Sequence, residues 1–185
     1  MRKLMMTGTA ALVLGCASMA MGADMPKDFW TTPAIQGYGK IHYLPDAAYK
    51  PRADQTYRIV FALTKGAKQP GEVSPALDRV ARTVNLYVAS GVPLMQLKFV
   101  AVAYGDATSI VLDDEQYRAK FGMANPNLPL IEALRKAGVD VSVCAQAVAE
   151  HDYQYDWVDK RVTLALSGLT TVTTLEHDGY VLMPL

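Results

Sequence analysis

Apolar runs alternate with amphipathic stretches over the C-terminal two thirds of the chain. The first run, residues 58–63, is rich in β-branched and aromatic side chains, which is typical of a strand covered on both faces. Ser74-Pro75 then supplies an N-cap and a first-turn proline, and apolar residues recur at helical spacing over residues 77–88. The pattern therefore predicts a strand followed by a helix, which Gly91 ends.

The same alternation continues to the C-terminus. Predicted strands cover residues 97–104, 139–143, 161–166 and 180–185. Predicted helices cover residues 113–121, 145–151 and 169–178. A further predicted helix begins at Asn125-Pro126 or Asn127 and ends at Gly138. Strands and helices at this spacing imply right-handed crossovers, with helices on both faces of a sheet. We therefore expect an α/β fold, a three-layer α/β/α sandwich with a mainly parallel five-stranded sheet.

The first 56 residues lack this alternation and divide into two segments. Residues 1–22 combine a basic start, an apolar run of about a dozen residues and small residues before Ala23, which predicts a secretory signal peptide too short to span a membrane. Residues 23–56 are rich in proline and aromatic residues. We interpret them as an extended arm that lies on the domain or on a neighbouring subunit, and residues 57–185 as the α/β domain.

A second interpretation of the leader rests on Val13-Leu14-Gly15-Cys16, which looks like a bacterial lipobox with Cys16 as the acylated residue. Leu14 is large for its position, and conventional cleavage after Gly22 satisfies the small-x-small rule. The sequence therefore favours a soluble periplasmic protein. Membrane attachment is expected only if Cys16 is lipidated.

Charge and composition exclude several classes of protein. Eighteen basic residues balance eighteen acidic ones, and no run of like charge is longer than three residues, so electrostatic binding of nucleic acid is not expected. An apolar content of 51% with 19% charged residues excludes a disordered chain. The strand exits contain no dinucleotide or P-loop motif, so no cofactor is predicted. His42, His151 and His177 have no metal-ligand spacing, so no structural metal is predicted.

Candidate binding residues lie where the first three strands end, because ligands of parallel sheets collect at the carboxyl ends of strands. These exits are residues 64–68, 104–106 and 144–146. The candidate ligand-binding residues at the exits and on the helix that follows the third strand are Lys65, Gly105, Asp106, Gln146 and His151. Four of them have a structural alternative: a solvated turn for Lys65 and Asp106, a solvated helix end for His151, and a cap of its own helix for Gln146.

Cys144 is the candidate catalytic residue. Once Cys16 leaves with the signal peptide, Cys144 is the only thiol of the mature chain, in a compartment where unpaired thiols are exceptional. A cysteine at a helix N-terminus meets unsatisfied N–H groups that favour the thiolate, the species that attacks sulfane sulfur or disulfides. The alternative is a small, buried and inert residue that finishes a strand.

One segment runs from Asn125-Pro126-Asn127-Leu128-Pro129 through an amphipathic helix to residues 137–146, AGVDVSVCAQ. This segment resembles the DsrE/DsrF-like sulfur-relay family, specifically its exported branch. The closing Gly168-Leu169 helix, Gly179-Tyr180 and residues 37–40 are similar too. The resemblance implies an α/β/α sandwich that assembles as a homotrimer or homohexamer. It also implies that Cys144 carries sulfur as a persulfide. The relay partners known for the family are cytoplasmic, whereas this chain has a signal peptide.

Two functions follow from the sequence. The first is a periplasmic carrier that accepts sulfane sulfur on Cys144 and passes it between a donor and an acceptor protein, more a carrier than a turnover enzyme. The second is a non-catalytic, oligomeric periplasmic binding module with the same fold and a structural cysteine.

Overall fold

The computed structural model describes residues 29–185, and its centre is one five-stranded sheet. The strands in chain order are β1 (Tyr57–Leu63), β2 (Leu97–Ala103), β3 (Asp140–Cys144), β4 (Thr163–Ala165) and β5 (Val181–Pro184). They lie in the order β4-β3-β2-β1-β5, and every neighbouring pair is parallel. The predicted α/β sandwich is therefore confirmed, and its sheet is parallel throughout.

Five α-helices connect the strands. In chain order they are α1 (Pro75–Ala89), α2 (Asp114–Phe121), α3 (Leu128–Lys136), α4 (Ala145–Glu150) and α5 (Gly168–His177). Local capping fixes their starts: the side chains of Ser74, Asp113 and Ser167 accept hydrogen bonds from the first-turn N–H groups of α1, α2 and α5. These starts lie within one residue of the predicted ones because a capping signal is read from a few neighbouring residues.

A 3-10 helix, Gly105–Val111, follows β2. One predicted strand differs from the structure, because β4 has three residues instead of the six predicted over 161–166. The chain is still turning before β4, because the Val162 N–H donates to the Asp159 carbonyl and the Arg161 side chain pairs with the Asp159 carboxylate.

One face of the sheet, here called the α1 face, is covered by α1 and α3. Residues in register on parallel strands point to the same face, so Phe61 and Phe99 lie on this side with Val141. The apolar stripes of the two helices pack against them, and Leu77 and Leu134 are fully buried. This face contains the main hydrophobic core.

The opposite face, here called the α5 face, carries the alternate residues of the strands. Val60 and Val102 are fully buried here, and Ser142 and Cys144 are nearly so. Helix α5 packs on β1 and β2, but Gly168 is its only buried residue. This layer is therefore thin, and it leaves two leucines of this face partly or largely exposed, Leu169 of α5 and Leu182 of β5, which is in register with Val60.

The described part of the arm, residues 29–56, lies on α1 of its own chain. Asn85 of α1 is fully buried, and its Oδ1 accepts the N–H groups of Ala34 and Ile35 at 2.9 and 2.8 Å. Its Nδ2 donates to the carbonyls of Tyr38 and Gly39 at 2.9 and 3.0 Å. One side chain therefore satisfies four backbone groups of the arm.

Within the arm, Thr31 and Ile41 form a single antiparallel bridge. The predicted signal peptide, residues 1–22, and Cys16 lie outside the described residues. Within residues 29–185, none of the helices has the length and apolar character that crossing a bilayer requires.

Candidate functional site

A cleft of about 350 Å³ lies at the carboxyl ends of β2, β3 and β4. We call it the thiol cleft. It is lined by Tyr104, Gly105, Cys144, Gln146, Ala147, Glu150, Ser167, Gly168 and Leu169. Because β3 lies between β2 and β4, the residues that follow these three strands meet around the end of β3.

Cys144 is both the last residue of β3 and the N-cap of α4. Its Sγ accepts a hydrogen bond from the Ala147 N–H at 3.3 Å, in the place where a serine or aspartate oxygen usually caps a helix. The residue is 6% exposed, so the sulfur is recessed at the base of the cleft. A backbone N–H that points at the sulfur stabilises negative charge there, which is what a nucleophilic thiol needs.

The other wall of the cleft is the start of α5. The Ser167 side chain caps this helix through the Leu169 N–H at 3.2 Å. Gly168 follows, and a Cβ at this position would lie 2.9 Å from Cδ1 of Tyr104. Glycine therefore allows the Tyr104 ring to lie against the backbone of α5 and to close this side of the cleft.

Gln146 links the two walls. Its Nε2 donates to the Leu166 carbonyl at 3.2 Å, which joins the first turn of α4 to the segment before α5. The predicted residue thus lies in the cleft beside Cys144, with one of its amide hydrogens already engaged. Its Oε1 forms no hydrogen bond with any of residues 29–185.

The structure brings only some of the predicted binding residues to the thiol. Gly105 and Gln146 line the thiol cleft with Cys144, whereas Lys65 and Asp106 line a different cleft. His151 is the C-cap of α4, with Nε2 2.9 Å from the Gly105 carbonyl oxygen. The separation of Lys65 from Cys144 follows from strand order, since β2 lies between β1 and β3. The ligand-binding roles of all five predicted binding residues stay predictions.

Sequence reasoning missed the contribution of the fourth strand exit. Ser167 and Gly168 follow β4, the direct neighbour of β3, and they form part of the cleft wall. The signal was present, because Ser167 precedes a helical stretch as an N-cap residue does. Sequence reasoning also missed Glu150, which is the only charged residue among those that line the thiol cleft.

The Asn125-Pro126-Asn127 motif is structural. The Asn125 Nδ2 donates to the carbonyls of Ile110 and Leu112, and its Oδ1 accepts from the N–H and Nδ2 of Asn127. The Asn127 Oδ1 in turn accepts the Ser74 N–H at 2.7 Å. This buried network joins the 3-10 helix after β2 to the starts of α1 and α3, so it holds the loops at the carboxyl edge of the sheet.

No three side chains of His, Cys, Asp or Glu among residues 29–185 lie close enough together to hold a metal ion. Cys144 is the only cysteine in this range, and its thiol is free.

Fold and site together define a parallel α/β sandwich with one cysteine at the carboxyl end of a central strand. The model of the DsrE/DsrF-like family matches residues 58–185, which is more than half of the chain. The chain therefore belongs to the DsrE/DsrF-like family. The family is generally one of sulfur relay.

Comparison with solved structures gives a protein of unknown function, MTH1491, from Methanobacterium thermoautotrophicum. The similarity covers 70% of this chain and 99% of that chain, with 16% sequence identity and a TM-score of 0.49. None of the curated protein sequences matches this chain significantly.

Proposed function

We propose that this protein carries sulfane sulfur as a persulfide on Cys144. The observation that carries the proposal is the position of the thiol. Cys144 caps α4 through the Ala147 N–H and lies at the base of a cleft, in a chain of the DsrE/DsrF-like family. A buried cysteine inside the hydrophobic core would have no such opening.

The transfer is a nucleophilic displacement at sulfur. The Cys144 thiolate attacks the outer sulfur of a donor persulfide R–S–SH, a new S–S bond forms at Cys144, and the donor S–S bond breaks to release RS⁻. Delivery repeats the step in the opposite sense, with the thiolate of an acceptor attacking the outer sulfur of the Cys144 persulfide. Both steps conserve electrons, so no external oxidant or reductant is needed.

The recessed sulfur determines which molecules reach it. A small donor enters a 350 Å³ cleft, whereas the surface of a folded protein does not reach a residue that is 6% exposed. The added sulfur extends the side chain by about 2 Å, the length of an S–S bond. The loaded form is therefore more accessible to an acceptor thiol than the empty form is.

The electrostatics of the cleft favour donors of low charge. Glu150 is exposed and lines the cleft, and it forms no ion pair with any of residues 29–185. Its carboxylate repels anionic donors at the mouth of the cleft. We expect Glu150→Gln to accelerate labelling by polysulfide about twofold, with a smaller gain at high salt.

Export and assembly are further parts of the proposal. The leader supports secretion to the periplasm by the exported branch of the family, with cleavage near Gly22. The exposed apolar side chains of the α5 face support self-association, since such patches on soluble proteins often mark interfaces. The family resemblance implies a homotrimer or homohexamer. A mature protein found in the membrane fraction with an acylated Cys16 would contradict the soluble form.

The proposal is tested by the mass of the purified mature protein after incubation with polysulfide. We expect the addition of one sulfur atom, its removal by dithiothreitol, and no addition to Cys144→Ser. Serine is a matched control because its hydroxyl also caps helices, so the variant should retain the fold. An unmodified thiol that resists alkylation would contradict the carrier and favour the alternative, a binding module in which Cys144 only caps α4.

A further inference from the structure

A second cleft, of about 440 Å³, lies at the carboxyl ends of β1 and β2, and the sulfur chemistry proposed above does not use it. We call it the lysine cleft. Its polar lining includes Lys65, Lys68, Asp106 and Ser109, and its apolar lining includes Tyr117 and Phe121 of α2. The 3-10 helix after β2 separates the two clefts, with Gly105 on the thiol side and Asp106 on the lysine side.

The loop that carries both lysines, residues 64–73, is attached to its surroundings at several points. A Cβ on Gly66 would lie 3.0 Å from the Asp106 carbonyl oxygen, so the two backbones are in close contact. The Tyr117 hydroxyl donates to the Pro70 carbonyl at 2.7 Å. Asn127 holds the Ser74 N–H just after the loop. The cleft is therefore formed by fixed contacts, as ligand sites usually are.

The charges of the lysine cleft favour an anion. Lys65 and Lys68 contribute two positive charges and Asp106 one negative charge, and within residues 29–185 none of the three has an ion-pair partner. Burial raises the pKa of Tyr117, so its ring presents a neutral surface at physiological pH. The thiol cleft has the opposite balance, with Glu150 as its only charged lining residue.

We propose that the lysine cleft binds a small organic anion that carries a flat apolar group. The anionic group pairs with Lys65 and Lys68 at the rim, and the apolar group packs against Tyr117 and Phe121. A volume of about 440 Å³ is within the range of small-molecule sites. Binding here is independent of Cys144 and of the proposed sulfur transfer.

The test measures binding of phenyl phosphate to the mature protein by isothermal titration calorimetry. Benzyl alcohol is the uncharged comparison and should bind much more weakly. We expect Lys65→Gln and Lys68→Gln each to weaken phenyl phosphate binding about fivefold, and Asp106→Asn to strengthen it about threefold. Lys98→Gln is the matched control, because Lys98 is exposed near the opposite end of β2 and should leave binding unchanged.

The position of the loop is tested by Gly66→Ala, which forces residue 66 away from the Asp106 carbonyl while both lysines remain. We expect it to weaken phenyl phosphate binding as well. Cys144→Ser should bind phenyl phosphate like the parent, which separates this proposal from persulfide formation. The proposal is overturned if phenyl phosphate does not bind, if benzyl alcohol binds equally well, or if both lysine variants bind like the parent.

Discussion

The two faces of the sheet are built differently. On the α1 face, two amphipathic helices cover the strands, and the arm lies on α1, where the buried polar side chain Asn85 forms four hydrogen bonds to it. On the α5 face, one threonine-rich helix covers small residues, and Leu169 of that helix is 76% exposed. The cysteine lies on the thinly covered face.

The difference indicates that stability and chemistry reside in different parts of the fold. Burial of apolar surface is the main source of folding free energy, and most of it lies on the α1 face. The α5 face buries less apolar surface. Its thin cover leaves a cleft at the strand ends and an apolar surface that is available for contacts. Substitutions on the two faces should therefore have different consequences.

The largest effect is expected at Asn85. Asn85→Ala leaves four backbone groups of the arm without partners, at about 1 kcal/mol for each hydrogen bond lost. We expect the free energy of unfolding in urea to fall by about 4 kcal/mol, with faster proteolysis of the arm. Thr173→Ala on the exposed side of α5 is the control and should change stability by less than about 0.5 kcal/mol. A loss at Asn85 no larger than the control's would show that the arm does not contribute to folding.

The second prediction concerns how closely the arm approaches α1. A Cβ on Gly39 would lie 2.1 Å from the backbone nitrogen of Arg82, and Gly39 has a φ of +57°. Because backbone atoms cannot yield as a side chain does, we expect Gly39→Ala to destabilise the protein by about 3 kcal/mol.

Gly37→Ala is the matched control for Gly39→Ala. Gly37 also has a positive φ, +81°, but a Cβ there would meet nothing within 4 Å. Its cost should be limited to about 1 kcal/mol of backbone strain. Equal losses in the two variants, measured by urea denaturation, would mean that the strain alone matters and that the contact with Arg82 does not.

Much of this fold could be predicted from the sequence because its signals are local. The cap of α1 at Ser74 and the apolar run of β1 are each contained within a few residues. The docking of the arm could not be predicted in the same way. Asn85 lies among the apolar positions of α1, and its partners are 46–51 residues away in the chain. Only the folded structure shows why a polar residue is buried there.

The candidate site was predictable only in part, for a related reason. Cys144 and Gln146 are neighbours in sequence and remain neighbours in the cleft. Lys65 also follows a strand, but the order of strands decides which strand ends meet. That order depends on crossovers across the whole sheet, so no short pattern indicates that Ser167 lies beside Cys144 while Lys65 does not.

The third prediction concerns the exposed surface of the α5 face. Leu169→Ser removes an apolar side chain that is 76% exposed, so the folding free energy should change by less than about 0.5 kcal/mol. If this face forms the proposed subunit contact, association should weaken about tenfold in sedimentation velocity. Leu86→Ser is the control, since Leu86 is an exposed leucine of α1. Loss of association by Leu86→Ser alone would assign the interface to the opposite face.

The smallest effect is expected before β4, at the edge of the sheet. Arg161 hydrogen-bonds the carboxylate of Asp159 and lowers the pKa of Asp159 below its ordinary value of 3.8. A lowered pKa in the folded state means that the pair stabilises the fold above about pH 4, and that this contribution is lost as the pH falls through the folded pKa. Both partners contact solvent, so the contribution should be about 0.5 kcal/mol or less. We expect Asp159→Asn to be less stable than the parent by this amount at pH 7, and the two to converge in urea denaturation near pH 2. A difference that persists at low pH would assign the effect to packing of residue 159 instead of its charge.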